Sequence, residues 1–79
     1  MGWVCYLLLC ADDTFYCGIT NDMEKRLVAH NAGEGAKYTR GRLPVKVVYC
    51  ESCADKSVAL KREIQIKKMS RSKKQALIT

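Results

Sequence analysis

Residues 3–20 read WVCYLLLCADDTFYCGIT, two apolar runs separated by a short polar segment. The runs over residues 3–10 and 15–20 carry aromatic and β-branched side chains, and residues 11–14 have the composition of a turn, so together they predict a β-hairpin. Both faces of the hairpin are apolar, and we expect helices to cover the sheet on both sides. One face is expected to carry Cys5, Leu7, Leu9, Phe15, Cys17 and Ile19.

A helix is expected next, over residues 22–32. Asn21 and Glu24 have the spacing of a capping box at its start, and Gly33 supplies its end. The second half of the chain then opens with a glycine-rich basic loop over residues 33–44, which ends at the only proline.

A third strand is predicted over residues 45–50 (VKVVYC). Asp55 or Ser57 would cap a following helix that ends near Lys68, and Ser70 would begin a short terminal helix. On the first of these helices Leu60 and Ile64 are expected to face inward, and the anchor of the second would be Ala76, Leu77 and Ile78. The predicted order is β-β-α-β-α-α, an α/β (α+β) arrangement.

Length and cysteine content restrict the class of protein. A chain of 79 residues has room for one domain, so residues 1–79 are taken as a single domain. Five cysteines cannot form a complete set of disulfides within one chain, which favours a reducing compartment, the cytoplasm or, in a eukaryote or virus, the nucleus. No signal peptide or membrane-spanning stretch is recognisable.

Positive charge is concentrated in the second half of the chain. The net charge is +6, and residues 37–79 hold twelve basic and three acidic side chains. Such a surface attracts phosphate backbones or anionic lipid. Membrane binding would need a long amphipathic helix with large exposed apolar residues, and none is evident, so a nucleic acid is the expected partner.

Tyr6 and Tyr16 are the first candidate site residues. A three-residue loop centred on Asp13 would pair Tyr6 with Thr20 and place both tyrosines on one face of the hairpin, whereas a two-residue loop would place them on opposite faces. We expect the three-residue loop. Strand tyrosines often serve packing alone, but two that converge on one spot indicate a site.

Asp22, Arg26 and His30 recur at intervals of four residues and would share one stripe of the first helix. The neighbouring stripe, Met23 and Leu27, would face the core. An exposed ion pair and a surface imidazole would account for the polar stripe. Alternatively, the Arg26 guanidinium would hold two phosphate oxygens, with His30 as a proton donor or shuttle beside it.

Glu63 is the candidate metal ligand. It could simply pair with Lys67 one helical turn later. However, only three acidic residues follow position 36, and Mg²⁺ needs at least one carboxylate while it keeps most of its waters. Asp55 and Glu51 are the rivals.

Cys50 and Cys53 form only half of a zinc site, because no second ligand pair follows.

The basic loop and Gly18 are candidate nucleic-acid contacts. Cations and an aromatic ring in one loop suit backbone contacts and base or sugar stacking, although a solvated charged loop is equally compatible. A glycine in the second strand would let a DNA backbone approach closely. The loop residues in question are Lys37, Tyr38, Arg40 and Arg42.

These residues, in this order and spacing, resemble the GIY-YIG nuclease superfamily, most closely its small, stand-alone, single-domain members. The resemblance covers essentially the whole chain. Here the first tripeptide reads VCY (residues 4–6) and the second YCG (residues 16–18), so both tyrosines and the second glycine are kept. The later matching positions are Arg26, His30 and Glu63.

The resemblance implies a three-stranded antiparallel sheet flanked by helices and a DNA-cleaving site. In that family the tyrosine matching Tyr6 acts as general base or orients water, and the one matching Tyr16 arranges nucleophile and phosphate. The match to Arg26 stabilises phosphate charge, the match to His30 assists, and the match to Glu63 binds one Mg²⁺ or Mn²⁺. The leading hypothesis is a structure-directed DNA endonuclease with weak sequence preference, of use in DNA repair or recombination.

Two other functions remain open from the sequence. Many active family members carry a late asparagine, which this chain lacks beyond Asn31, so a catalytically silent nucleic-acid-binding module is one alternative. The other is an adaptor domain that docks a protein partner through the C-terminal helix; exposed apolar residues there would support it.

Overall fold

The computed structural model describes residues 2–79. It confirms three strands and three main helices in the predicted order, with one correction: the loop expected over residues 33–44 contains a single turn of helix. The elements are β1 (Trp3–Leu9), β2 (Phe15–Thr20), α1 (Met23–Asn31), α2 (Lys37–Arg40), β3 (Lys46–Cys53), α3 (Lys56–Lys67) and α4 (Arg71–Ile78).

The three strands form one antiparallel sheet in the order β2-β1-β3, as the family resemblance implied. The hairpin register differs from the expected one by two residues, because Tyr6 pairs with Gly18 rather than Thr20. The cause lies in the turn: Asp12 Oδ1 accepts hydrogen bonds from the Thr14 amide and hydroxyl, at 3.2 and 2.6 Å, and so centres the loop on Asp12. A shift of two residues leaves Tyr6 and Tyr16 on the same face, as predicted.

Helices cover both faces of the sheet, as the two-sided apolar pattern predicted. On one face, a core of Cys5, Leu7 and Cys17 packs against Ile66 of α3. On the other, a core of Tyr6, Leu8, Cys10 and Val45 packs against Met23 and Leu27 of α1. We call these the α3 face and the α1 face.

Among residues 2–79, no helix has the length and apolar character that crossing a bilayer requires.

The predicted inward stripe of α3 is wrong. Leu60 and Ile64 are 41% and 54% exposed, while Ala59 and Ile66 are fully buried. The inward stripe runs through positions 59, 62, 63 and 66, and two of its four side chains, Arg62 and Glu63, are charged and half-buried. An apolar periodicity cannot identify such a stripe, because half of it is polar.

The helix starts agree with the sequence only in part. Asp22, not Asn21, caps α1 by accepting from the Lys25 amide at 3.1 Å. Of the two expected caps for α3, Asp55 is the one used. Ser70 caps α4 as predicted.

The C-terminal anchor and the third strand also differ from expectation. On α4, Leu77 packs on the core but Ala76 is exposed, so the predicted anchor is only partly right.

β3 continues to Cys53 rather than ending at residue 50. Its start is held by Asn31, whose side-chain amide accepts from the Val45 N–H at 2.8 Å and donates to the Val45 carbonyl at 3.1 Å.

Replacing Ile66 by Ala should lower the free energy of unfolding by about 2–5 kcal/mol, because it removes buried side-chain volume from the α3 face. The matched change Ile64→Ala, two residues away on the same helix, should alter it by less than about 0.5 kcal/mol. Urea unfolding of both variants measures the difference. Equal destabilisation by the two substitutions would contradict the observed orientation of α3.

Candidate nuclease site

Tyr6 lies at the centre of the sheet, fully buried on the α1 face. Its ring extends across β2 above Gly18. A Cβ atom on Gly18 would lie 2.5 Å from the Tyr6 hydroxyl oxygen and 3.2 Å from Tyr16 Cε2. Glycine is therefore required at position 18 to accommodate the Tyr6 side chain, independently of any contact with DNA.

His30, also fully buried, links Tyr6 to α2. Its Nε2 lies 3.0 Å from the Tyr6 hydroxyl, and its Nδ1 lies 2.9 Å from Thr39 Oγ1. The Thr39 hydroxyl in turn donates to the Ala36 carbonyl at 3.0 Å. The polar stripe predicted on the first helix thus ends in the protein interior, where His30 contacts the Tyr6 hydroxyl and is not a surface imidazole.

Burial governs how these groups titrate. It raises the pKa of the Tyr6 hydroxyl above its usual value, and Arg26 offsets part of that rise, first as a hydrogen-bonding partner and then through its positive charge. It also lowers the pKa of His30, and the charge of Arg26 lowers it further. At neutral pH the pair is therefore a neutral phenol hydrogen-bonded to a neutral imidazole.

Arg26 has a buried donor without a partner. Its Nε is shielded from solvent and makes no hydrogen bond to any group of residues 2–79. A buried unsatisfied donor is costly, and the positive charge makes an anionic oxygen its best partner. The residue borders an open cavity of about 260 Å³ at the start of α1, which is lined by Thr20, Asn21, Asp22, Lys25, Arg26 and Ala29.

Two tyrosines extend the site outward from His30. The ring of Tyr16 packs edge-on against His30, with centroids 5.4 Å apart, and Tyr38 of α2 stacks on Tyr16 at 5.8 Å. The Arg42 guanidinium lies 4.1 Å above the Tyr38 ring and is held there by Asp12, with Nε to Oδ2 at 2.9 Å. Arg42 is thus engaged within the protein, whereas Lys37 and Arg40 are exposed.

Glu63 does not join the others on the α1 face. It lies on α3 with its side chain 18% exposed, and its Oε2 is 3.7 Å from Lys67 Nζ. Its negative charge acts on Cys17 and Cys5, which belong to the α3 face. The structure therefore gathers Tyr6, Tyr16, Arg26 and His30 on one face and places the glutamate on the other.

The two faces meet at the outer edge of β2, the strand at one side of the sheet. A cavity of about 420 Å³ wraps around this edge, and we call it the edge groove. Tyr16 and Tyr38 line it from the α1 face, and Lys67, the ion-pair partner of Glu63, lines it from the other side. Its full lining is Phe15, Tyr16, Cys17, Tyr38, Lys67 and Lys74.

Only Glu63 among the three candidate metal ligands is available. Asp55 caps α3, and Glu51 is bound by Arg62 at 3.0 Å and by the Tyr49 hydroxyl at 2.5 Å. Within residues 2–79 no three histidine, cysteine, aspartate or glutamate side chains cluster as a metal site. One carboxylate fits Mg²⁺, which commonly combines one or two carboxylates with waters and a phosphate.

Comparison with known proteins identifies the family to which this arrangement of side chains belongs. The profile of the GIY-YIG catalytic domain matches residues 2–76. The chain belongs to the GIY-YIG family. Domains of this family are generally nucleases.

Several relatives of the GIY-YIG chain are small proteins of similar length. A UPF0213 protein of Natronomonas pharaonis is 53% identical over 73 residues, which cover 92% of this chain and 86% of that protein. A UPF0213 protein of Clostridium perfringens is 54% identical over 74 residues, covering 94% and 80%. The solution NMR structure of the UPF0213 protein from Bacillus halodurans is 40% identical and covers 99% of this chain and 83% of that one, with a TM-score of 0.62.

The fold accounts for the cysteine in the middle of each tripeptide of this GIY-YIG domain, whereas Val4, in place of the first glycine, packs on the α1 face. Cys5 and Cys17, the middle residues of VCY and YCG, point to the α3 face, where their sulfur atoms lie 3.7 Å apart in the core. That position faces away from both tyrosines. Because it requires only a small apolar side chain, the substitution leaves the α1 face unchanged.

Sequence reasoning missed Thr39, Lys67 and Lys74. Thr39 carried no signal, because a buried partner for His30 cannot be recognised from a loop sequence. The two lysines, one on α3 and one on α4, line the same cavity only in the folded protein, so their spacing of seven residues carries no information in the sequence.

The lowered pKa of His30 predicts a loss of stability in mild acid. The unfolded chain takes up a proton on this residue near pH 6.5, whereas the folded protein does so only at lower pH, so the stabilising difference is full above about pH 6.5 and declines below it. The free energy of unfolding should fall between about pH 7 and pH 5.5, by at most about 1 kcal/mol, the limit for a group that stays neutral in the folded protein.

Urea unfolding at the two pH values measures the change, and His30→Gln should flatten the dependence. The single imidazole of the chain also allows its titration to be followed directly by NMR. A pKa of His30 above its usual range, or a stability that rises on acidification over this interval, would contradict the assignment.

Proposed function

We propose that this chain is a divalent-metal-dependent DNA endonuclease that recognises backbone and DNA shape with little sequence preference. The observation that carries the proposal is the unpartnered, buried Nε of Arg26 beside the hydrogen-bonded pair of Tyr6 and His30. It places an anion-binding donor next to a group that can handle a proton. Phosphodiester hydrolysis needs both of these functions.

Arg26 would stabilise the scissile phosphate. Hydrolysis adds negative charge around phosphorus, and a guanidinium fixed beforehand beside that charge lowers the barrier without reorganising in the transition state. Its Nε supplies one hydrogen bond, and its charge already acts on Tyr6 and His30. A bound phosphate would also relieve the cost of the unsatisfied donor.

Tyr6 would orient and deprotonate the attacking water. Its raised pKa means that the phenol is protonated at neutral pH, so the group cannot act as a preformed phenolate. Instead the hydroxyl must accept a proton while it gives its own to a neighbour. His30 Nε2, at 3.0 Å, is that neighbour.

The edge groove would hold the DNA backbone. Lys67 and Lys74 line it on the α3 side, and the exposed ring of Tyr38 stacks over Tyr16 on the opposite side. Lysines neutralise phosphates, and an aromatic ring accepts an unstacked base or sugar. Lys37 and Arg40 of α2 are exposed beside it and would add further backbone contacts.

Glu63 would hold one Mg²⁺ or Mn²⁺. Bound there, the ion would supply charge stabilisation to phosphate oxygens and lower the pKa of a coordinated water. The carboxylate is mostly shielded, and its contact with Lys67 at 3.7 Å is long for an ion pair, so it retains acceptor capacity. Lys67 both pairs with this carboxylate and lines the edge groove. Glu63 would therefore lie near the surface that holds the DNA backbone.

Nicking of supercoiled and branched DNA with Mg²⁺ or Mn²⁺ tests the proposal. Arg26→Ala and Glu63→Ala should each reduce the single-turnover cleavage rate by about 100-fold or more, in line with the loss of a charge-stabilising group. Lys61→Ala, which removes an exposed charge from α3, and Glu34→Ala, which removes an exposed carboxylate, are the matched controls and should cleave at the wild-type rate. Equal residual cutting by wild type, Arg26→Ala and Glu63→Ala would refute the assignment.

A DNA-binding module without activity is the second candidate. The position of Glu63 on the α3 face and the lack of a late asparagine favour it. It would bind without cutting, and neutralising about five phosphates would give a log–log salt slope of about −4 to −5. The adaptor function finds partial support: Leu77 of α4 packs on the core, but Ala76 is exposed and no residue of this helix is fully buried.

A further inference from the structure

We propose that Thr39 is a positioning residue that holds His30 in the tautomer with hydrogen on Nδ1, and so compels the Tyr6 hydroxyl to donate to His30 Nε2. The catalytic consequence rests on the proposed nuclease function. The tautomer itself does not, since it follows from the hydrogen-bond geometry alone.

The direction of each hydrogen bond in the series from Ala36 through Thr39 and His30 to Tyr6 follows from its last acceptor, the Ala36 carbonyl. The Ala36 carbonyl can only accept, and we assign the single hydrogen of the Thr39 hydroxyl to it at 3.0 Å, beside the hydrogen bond that the same carbonyl accepts from the Thr39 amide at 3.2 Å. Thr39 Oγ1 must then accept from His30 Nδ1–H at 2.9 Å. A neutral imidazole has one N–H, which leaves Nε2 to accept from Tyr6 at 3.0 Å.

The neutral state of His30 follows from its surroundings. The side chain is completely buried, and within residues 2–79 the one charged side chain shown to act on it is the cation Arg26. A second positive charge in this position would be desolvated and repelled. The imidazole therefore carries a single N–H, and the hydrogen bond with Thr39 determines which ring nitrogen is protonated.

This arrangement determines what Tyr6 can do. With its own hydrogen directed at Nε2, the phenol oxygen keeps its lone pairs as acceptors, one of them within the influence of Arg26. Because the hydroxyl is fully buried, a water molecule would reach it only when substrate binding opens the site. In the step, a water O–H bond breaks and a new Tyr6 O–H bond forms, while the original Tyr6 O–H bond breaks and an Nε2–H bond forms. The resulting hydroxide forms a new P–O bond while the P–O bond to the leaving sugar oxygen breaks, and that oxygen takes a proton from solvent. His30 becomes a transient imidazolium with Nδ1–H still held by Thr39, its charge offset by the bound phosphate, and then releases the proton.

The opposite tautomer would block this step. Nε2–H would then donate to the Tyr6 oxygen, and Nε2 would have no lone pair for the tyrosine proton. The hydroxyl hydrogen would point away from His30, so Tyr6 could donate a proton but could not pass one inward. Fixing a histidine tautomer through its second nitrogen is a recognised role for a neighbouring acceptor.

The surrounding segment is shaped around the imidazole. Thr39 is fully buried on a single turn of helix whose neighbouring residue, Tyr38, stacks on Tyr16. Gly35 passes directly over the ring, and a Cβ atom there would overlap His30. Thr39 is thus fully buried beside an imidazole that Gly35 covers closely, which restrains both partners of the hydrogen bond.

NMR of the full-length protein tests the tautomer without any activity assay. Because the chain has a single histidine, long-range ¹H–¹⁵N correlations report His30 directly. The wild type should show Nδ1 protonated and Nε2 bare. Thr39→Val, which keeps the shape but removes the acceptor, should shift the proton to Nε2, and Thr39→Ser should restore the wild-type pattern. An Nε2–H wild type, or a Val variant that retains Nδ1–H, would overturn the proposal.

Single-turnover cleavage and DNA binding test the consequence. Thr39→Val should lower the cleavage rate by about 10- to 100-fold with an unchanged Kd for DNA, and Thr39→Ser should recover it to within about threefold. A Val variant that cleaves as fast as wild type would refute the positioning role. If the wild type cuts no DNA, the nuclease proposal fails, while the NMR result still decides the tautomer.

Thermal unfolding of the three proteins controls for folding. Should the Val variant be unfolded, the wild-type tautomer and the Ser variant decide the question, because Ser keeps the hydroxyl and loses only a methyl group. A Ser variant that is folded but shows Nε2–H would overturn the proposal, and one that shows Nδ1–H supports it.

Discussion

The hydrogen bond between Tyr6 and His30 is the interaction on which the site depends. A tyrosine hydroxyl at the centre of a sheet loses its hydration completely, and an unpaired hydroxyl there would cost about 1–3 kcal/mol. His30 removes that cost but, being buried itself, needs a partner for its second nitrogen. The need for a hydrogen-bond partner therefore extends from Tyr6 of β1 to His30 of α1, and from His30 to Thr39 of α2.

Several features that look unrelated in the sequence serve this interaction. Gly18 and Gly35 lack the Cβ atoms that would strike Tyr6 and His30. The hairpin register, set by Asp12, places Gly18 rather than Thr20 opposite Tyr6. A register shifted by two residues would keep the faces but put a side chain where the Tyr6 ring must pass.

Much of the fold could be predicted from the sequence, because hairpin alternation and helix caps are local signals. The failures have physical causes: the inward stripe of α3 is half charged, and side-chain hydrogen bonds of Asp12 determined the loop centre. At the site, the shared face of Tyr6 and Tyr16 was predictable, because a hairpin loop with an odd number of residues places the two tyrosines on the same side of the sheet. The burial of His30, its bond to Thr39 and the separate face of Glu63 depend on tertiary packing that no spacing encodes.

The nuclease function proposed for this GIY-YIG domain requires the buried Tyr6 hydroxyl and not merely a cationic surface. Single-turnover cleavage of supercoiled DNA by Tyr6→Phe tests it most directly, because the change removes one oxygen atom and leaves the ring. The account predicts a rate at least about 100-fold below wild type with unchanged affinity for DNA. A Tyr6→Phe protein that cuts at the wild-type rate would contradict it.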